Sequence, residues 1–179
     1  EVLYLVDPID EMVTGSVHEF EGKTLKSVGQ GTVELGSDEE RKQAEEDLAD
    51  RKKTFENLLE FLQKNLADWI KEARLSTRLT TSPACLVGGE GDMSPQLERL
   101  LRRAKGVDGQ AKNKRILELN PDHEITTKLQ ARFAGNQEDP ALVDYAYLLL
   151  GYALLAEGSE LPDPARFNRA IADLMSKGL

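Results

Sequence analysis

The stretch Ala141-Leu142-Val143-Asp144-Tyr145-Ala146-Tyr147-Leu148-Leu149-Leu150-Gly151-Tyr152-Ala153-Leu154-Leu155-Ala156 decides how this chain is read. Only Asp144 and Gly151 interrupt its apolar character. Asp139-Pro140 ahead of it supplies an N-capping carboxylate and a proline whose fixed φ suits a first helical turn. Gly158 stands where a C-terminal cap belongs. The segment is therefore a helix from 140 to 157, and a helix apolar on every side has to be covered on every side. Its own domain can cover one side. The other is covered either by a second copy of the chain or, in a monomer, by a surrounding core, and both readings stay open on the residues alone.

Working outward, Asp163-Pro164 opens a second helix ending at Gly178. It is cleanly amphipathic: Phe167, Ala170, Ile171, Leu174 and Met175 form one stripe, with Arg166, Asn168, Arg169 and Asp173 opposite. Two helices joined by a short loop predict an antiparallel hairpin. Paired with its twin, such a hairpin makes a four-helix bundle with a two-fold axis. The candidate dimer-interface residues are Leu142, Tyr145, Leu148, Leu149, Tyr152, Leu155, Phe167, Ile171, Leu174 and Met175.

Residues 69–135 read as mixed α and β. Strands are expected at Lys71–Thr77, Ala84–Val87 and Arg115–Asn120. A helix capped by Asp122 should end near Gly135. Residues 37–67 read as one long helix, with Ser37 and Glu40 as a capping box. Its first half is almost all charge, a solvated face or an arm between domains. Its second half buries Phe55, Leu58, Leu59, Leu62 and Leu66. At the start, Val2–Val6 reads as a strand buried on both faces, Asp7-Pro8 opens a helix through Phe20, and Lys23–Val28 and Thr32–Leu35 read as strands about Gly29-Gln30-Gly31. The fold class is α+β: a small curved mixed sheet with helices, a long linking helix, and a C-terminal helical hairpin forming an intermolecular four-helix bundle. A chain opening on Glu1 and running straight into an apolar stretch reads as a piece of a longer protein.

Composition narrows the function. The 179 residues carry 32 acidic and 23 basic side chains, a net charge of -9. A nucleic-acid partner needs a basic footprint and is not expected. No apolar run reaches the roughly 18 residues of a membrane helix, so no membrane partner is expected either. The single Cys85 cannot form an internal disulfide, which suits a reducing, cytoplasmic setting. His18 and His123 are isolated and give no metal site. No nucleophile elbow or phosphate-binding loop is present, and Gly88-Gly89-Glu90-Gly91 lacks a dinucleotide fingerprint. No catalytic residue and no metal ligand is assigned, and the chain is expected not to be an enzyme.

One further element carries a possible function. After the glycine loop, Met93, Leu97, Leu100 and Leu101 fall on one face of a short helix opened by Ser94-Pro95. Methionine and leucines on a mobile element make an adaptable apolar surface. Ordinary packing on the sheet explains the same spacing. From Arg99 to Arg115 seven basic residues (Arg99, Arg102, Arg103, Lys105, Lys112, Lys114, Arg115) stand against one acidic one, Asp108. That run is a solvated loop or an attractor of acidic segments.

Several islands resemble the heat-shock protein 90 chaperone family, particularly its bacterial, HtpG-type branch. They are Asp7-Pro8-Ile9-Asp10-Glu11, Glu19-Phe20-Glu21-Gly22-Lys23, Phe55-Glu56-Asn57-Leu58, Arg78-Leu79 with Ser82-Pro83-Ala84-Cys85, Leu117-Glu118-Leu119-Asn120-Pro121-Asp122-His123, Ala153-Leu154-Leu155 and Asp163-Pro164. The resemblance implies that residues 1–36 end the family's middle domain, 37–67 link, and 68–179 form the C-terminal dimerisation domain. It implies homodimerisation and contact with unfolded or partly folded client proteins through Met93, Leu97, Leu100 and Leu101. Met93 stands where eukaryotic members often have a tryptophan. It also implies that ATP and Mg belong to an N-terminal domain of the parent, leaving no cofactor here. Tetratricopeptide co-chaperones are not expected, since the chain ends at Lys177-Gly178-Leu179 without an acidic pentapeptide. A purely structural dimerisation module without client contact is the alternative.

Overall fold

The computed structural model describes residues 2–5, 7–14, 16–31, 38–89, 91–95, 97–98 and 113–178. They fall into two compact units, one of residues 1–33 and 88–113, the other of 34–87 and 114–179.

In the first unit, α1 (Pro8–Thr14) begins at the expected Asp-Pro pair. The Asp10 carboxylate accepts from the Asp7 amide at 3.0 Å, and the Asp10 amide donates to the Asp7 carbonyl at 3.0 Å. This reciprocal closure satisfies the helix start from both sides. The helix does not run to Phe20. Thr14 and Ser16 turn their hydroxyls onto the Asp10 and Met12 carbonyls, at 2.9 and 3.1 Å, in competition with the ladder. Phe20 instead belongs to a hairpin of β1 (Glu19–Phe20) and β2 (Lys23–Thr24). Glu21 and Gly22 bridge it with φ of 49° and 76°, the pair of positive angles a two-residue hairpin turn demands. Gly22 is thus a turn residue, not a helix cap, and the expected strand Lys23–Val28 stops at Thr24. Val2–Leu5 is no buried strand: no strand pairs with it among the described residues, and Tyr4 is 89% exposed. An apolar run makes a strand only when a partner offers its backbone groups. Thr32–Leu35 lies outside the described residues.

The second unit is built on α2 (Asp38–Asn65) and a three-stranded sheet, β3 (Ile70–Leu75), β4 (Ala84–Val87) and β5 (Arg115–Leu119). The order is β3-β5-β4, with β3 parallel and β4 antiparallel to β5, so the sheet is mixed as expected. Every residue of central β5 is buried. Leu58 and Leu62 of α2, and Leu66 just past its end, are enclosed with Ile70, Leu117 and Leu119 in one core. Full burial of each such leucine or isoleucine is worth about 2 kcal/mol. Strand β3 ends two residues short of Thr77, because the Ser76 hydroxyl accepts from the amides of Arg78 and Leu79, both at 3.2 Å, and turns the chain.

Helix α3 (Glu124–Gly135) is capped by His123, whose Nδ1 accepts from the Ile125 amide at 3.1 Å. The expected cap, Asp122, instead pairs with Arg51, while its amide donates to Asn120 Oδ1 at 3.0 Å. Helix α4 (Ala141–Ala156) starts as read: Asp139 Oδ1 accepts from the Ala141 amide at 2.9 Å. Gly158, at φ 75°, closes its end. Helix α5 (Pro164–Gly178) starts with Asp163 Oδ1 accepting from the Arg166 amide at 2.9 Å.

The Ala141 amide on Oδ1, followed by the Arg132 guanidinium 2.6 Å from Oδ2, holds the Asp139 carboxyl below the usual Asp range. A depressed folded pKa contributes stability above the unfolded value, near ~3.9, and loses it as pH falls through the lower folded value. Thermal melts at pH 7 and pH 3 should therefore show a smaller acid loss in Asp139→Asn than in the parent. Equal losses in the two proteins would remove this role.

Candidate functional site

The two last helices meet at a few contacts. Tyr147 Oη accepts from the Asp163 amide at 2.9 Å and donates to the Asp163 carbonyl at 3.2 Å. The Arg166 guanidinium lies 4.4 Å from the centre of the Tyr147 ring and 3.3 Å from Asp144. Trp69 packs edge-on to the same ring at 5.9 Å. Phe167 fills the space above Gly151, where a Cβ would stand 2.3 Å from the ring. The pairs 144–166, 147–163 and 151–167 do not run in steadily opposed register. The first two keep the opposed register of a hairpin and the third departs from it, and α5 crosses the middle of α4 with its first turn.

This crossing splits the candidate interface. Leu142, Leu149 and Phe167 are buried within the chain itself. Tyr145, Leu148 and Ile171 are half-buried. Tyr152, Leu155, Leu174 and Met175 are exposed at 41, 52, 38 and 61%. Helix α4 is thus covered on one side by its own unit and open on the other. Tyr145, Leu148, Leu149, Tyr152, Phe167 and Leu174 come together in one apolar groove of about 560 Å³. Leu142, Leu155, Ile171 and Met175 do not line it.

The groove's far wall was missed in the sequence. Helix α3 supplies Ile125, Lys128, Leu129 and Arg132, and Pro83 closes the floor. Ile125, 52% exposed, Leu129 and Arg132 recur at i, i+4 and i+7, the signal that could have found them. Arg132 sits 5.3 Å from the Tyr145 ring centre and pairs with Asp139, so the groove's charged edge is already neutralised.

A second cluster lies on the sheet. Cross-strand register sets Arg74 and Cys85 on either side of Glu118. Glu118 Oε1 accepts from Arg74 Nε and Nη2 at 3.1 and 2.7 Å. Its Oε2 accepts from Arg78 Nε at 2.9 Å and Ser76 Oγ at 3.1 Å. Cys85 Sγ stands 3.9 Å from both Glu118 Oε2 and Arg78 Nη2. Burial first, and then the Glu118 charge, push its thiol up against the opposing pull of Arg78. A thiol kept protonated is a weak nucleophile. Cys85 is half-buried in this polar cluster.

Of the candidate client-contact residues, Met93 is 40% exposed and Leu97 half-buried, while Leu100 and Leu101 lie outside the described residues. The turn is capped as expected, with the Leu97 amide donating to Ser94 Oγ at 3.0 Å. Most of the basic run from Arg99 to Arg115 also lies outside them. Among the described residues no cluster of His, Cys, Asp or Glu could hold a metal ion, and no helix is long and apolar enough to cross a membrane.

The second unit is thus a mixed three-stranded sheet backed by a long helix, with two C-terminal helices that keep an apolar face open. The chain belongs to the Hsp90 protein family, whose family model matches residues 1–179. It is 49% identical over 177 residues to the chaperone protein HtpG of Rhodococcus jostii and 49% identical over 179 residues to that of Frankia casuarinae. It is 47% identical over 181 aligned positions to the chaperone protein HtpG of Mycobacterium tuberculosis. These alignments cover 99–100% of this chain but only 27% of each relative's length. The matches overturn the expectation that the chain is not an enzyme: over its whole length it aligns with HtpG chaperones of the Hsp90 family, so the lack of a recognisable catalytic motif in this stretch does not decide the matter.

Proposed function

We propose that this chain serves an Hsp90-type cytoplasmic chaperone as its homodimerisation module and as a point of contact with unfolded or partly folded clients. In that reading residues 1–36 end the middle domain, 37–67 link, and 68–179 form the C-terminal domain. The observation that carries dimerisation is the groove of α3, α4 and α5, with Tyr152, Leu155, Leu174 and Met175 exposed beside it. Stable interfaces bury about 800 Å² per partner and are mostly apolar at the centre, and these residues would supply the apolar centre of a two-fold pairing. The exposure of Met93 favours client contact over a purely structural module.

Leu149 is buried in the chain's own core, so a charge there would test folding, not assembly. Leu155→Glu with Leu174→Glu changes exposed positions instead. Sedimentation of the parent chain should give twice 19.9 kDa at micromolar concentration. The double variant should keep its circular dichroism and associate at least about tenfold more weakly, the effect of some 1.4 kcal/mol. A parent that sediments as a monomer, or a variant that dimerises equally well, would refute the interface.

A further inference from the structure

The segments 27–31 and 88–92 of the first unit are joined more closely than a loop contact requires. The Gly31 amide donates to the Gly88 carbonyl at 3.0 Å, and the Gly88 amide donates to the Gly29 carbonyl at 2.9 Å, so the two backbones form a single parallel bridge centred on Gln30. Gln30 Nε2 reaches across 62 positions of sequence to donate to the Asp92 carbonyl at 2.5 Å. Asp92 in turn folds its own loop, its Oδ2 accepting from the Gly89 amide at 2.6 Å and its amide donating to the Gly89 carbonyl at 3.1 Å. Gly31 and Gly91 carry φ of 61° and 78°, angles that a side chain resists. Met93 follows directly on Asp92, and Ser94 then starts the helical turn.

We propose that Gln30 and Asp92 form a clasp that positions the client-contact segment, so that the 27–31 strap governs how Met93 and Leu97 are presented to an unfolded polypeptide. This rests on the client-contact reading and adds a means of regulating it. These part-buried hydrogen bonds contribute modestly once exchange with water is counted, and ordering glycine-rich backbone costs a comparable amount. A clasp made of such bonds opens and closes near balance. When closed, it holds the apolar side chains in place before the client arrives, which removes part of the ordering cost of binding. A movement of the 27–31 strap would therefore reach Met93 through Gln30 and the backbone bridge to Gly88, without a change in the dimer.

The test uses the full chain and, as probe, reduced and carboxymethylated α-lactalbumin, a permanently unfolded polypeptide. Binding is read by fluorescence anisotropy and amide exchange by mass spectrometry. In Gln30→Ala/Asp92→Ala the Gly31, Gly88 and Gly89 amides should exchange at least tenfold faster and the Kd should rise at least threefold, with sedimentation unchanged. Asp92→Asn alone, which keeps Gln30 and an acceptor oxygen for the Gly89 amide, should leave both values near those of the parent. Faster exchange with an unchanged Kd, or unchanged exchange, overturns the clasp. Met93→Ser/Leu97→Ser separates the two ideas. If it weakens binding while the clasp variant does not, the clasp alone falls. If it leaves the Kd unchanged, client contact falls and the clasp's role goes with it.

Discussion

Glu118→Ala should be the most destabilising single substitution on the sheet, lowering the free energy of unfolding by about 3 kcal/mol, the lower end of the range for breaking a buried ion pair. Glu118 is 5% exposed and accepts from Arg74, Arg78 and Ser76 at once. Removing its carboxylate takes away the anion that the two guanidiniums share. The lower end applies because Arg74 and Arg78 keep 26 and 16% of their side-chain surface in water and can partly rehydrate. Glu118→Gln keeps an acceptor oxygen and should lose less. Urea titration reads both through the midpoint at unchanged slope. A loss below about 0.5 kcal/mol, the range of an ordinary surface change, would show that the cluster is not holding the sheet edge.

Gly151→Ala should be the second. In an open helix this change stabilises by up to about 1 kcal/mol, because alanine has less backbone entropy to lose. Here the new Cβ would stand 2.3 and 2.5 Å from two atoms of the Phe167 ring and 3.2 Å from Leu161 Cδ2. Phe167 is 8% exposed, so its ring has little room to retreat. Overpacking of this kind costs about 1–3 kcal/mol and outweighs the helical gain. We expect a net loss of about 1–2 kcal/mol, together with weaker self-association as α5 is levered off α4. Phe167→Leu in the Gly151→Ala background should recover part of the loss, a coupling that a double-mutant cycle measures. Net stabilisation by Gly151→Ala would mean that the crossing is looser than its contacts indicate.

Both substitutions sit inside motifs that the sequence displayed without explaining. Glu118 lies in the Leu117–His123 island, and an acidic residue flanked by leucines on a strand would ordinarily face water. Its burial depends on Arg74, 44 positions away, and Arg78, 40 positions away, arriving across the sheet. Gly151 looked like an interruption in an apolar helix. Its reason is the aromatic ring of a different helix. The Met93 turn was legible from Ser94-Pro95, but the strap holding its base was not. No local pattern links Gln30 to Asp92, and the strand readings over 2–5 and 25–28 failed where they assumed partners that the described residues do not supply.

The sequence by itself determined what short-range chemistry can determine. Asp-Pro pairs set the starts of α1, α4 and α5, Gly158 closed α4, and leucine spacing placed the buried half of α2. Local hydrogen bonds and period-matched burial act within a turn or two, so their signals survive in one dimension. The apolar stretch 141–156 likewise announced a helix that must be covered. Which of its faces the chain covers, and which it leaves open as one wall of the groove, only the tertiary structure decided. That depends on where α3 and α5 arrive, and the Tyr147–Asp163 and Gly151–Phe167 contacts that set the crossing are long-range steric and hydrogen-bond facts with no periodicity to betray them.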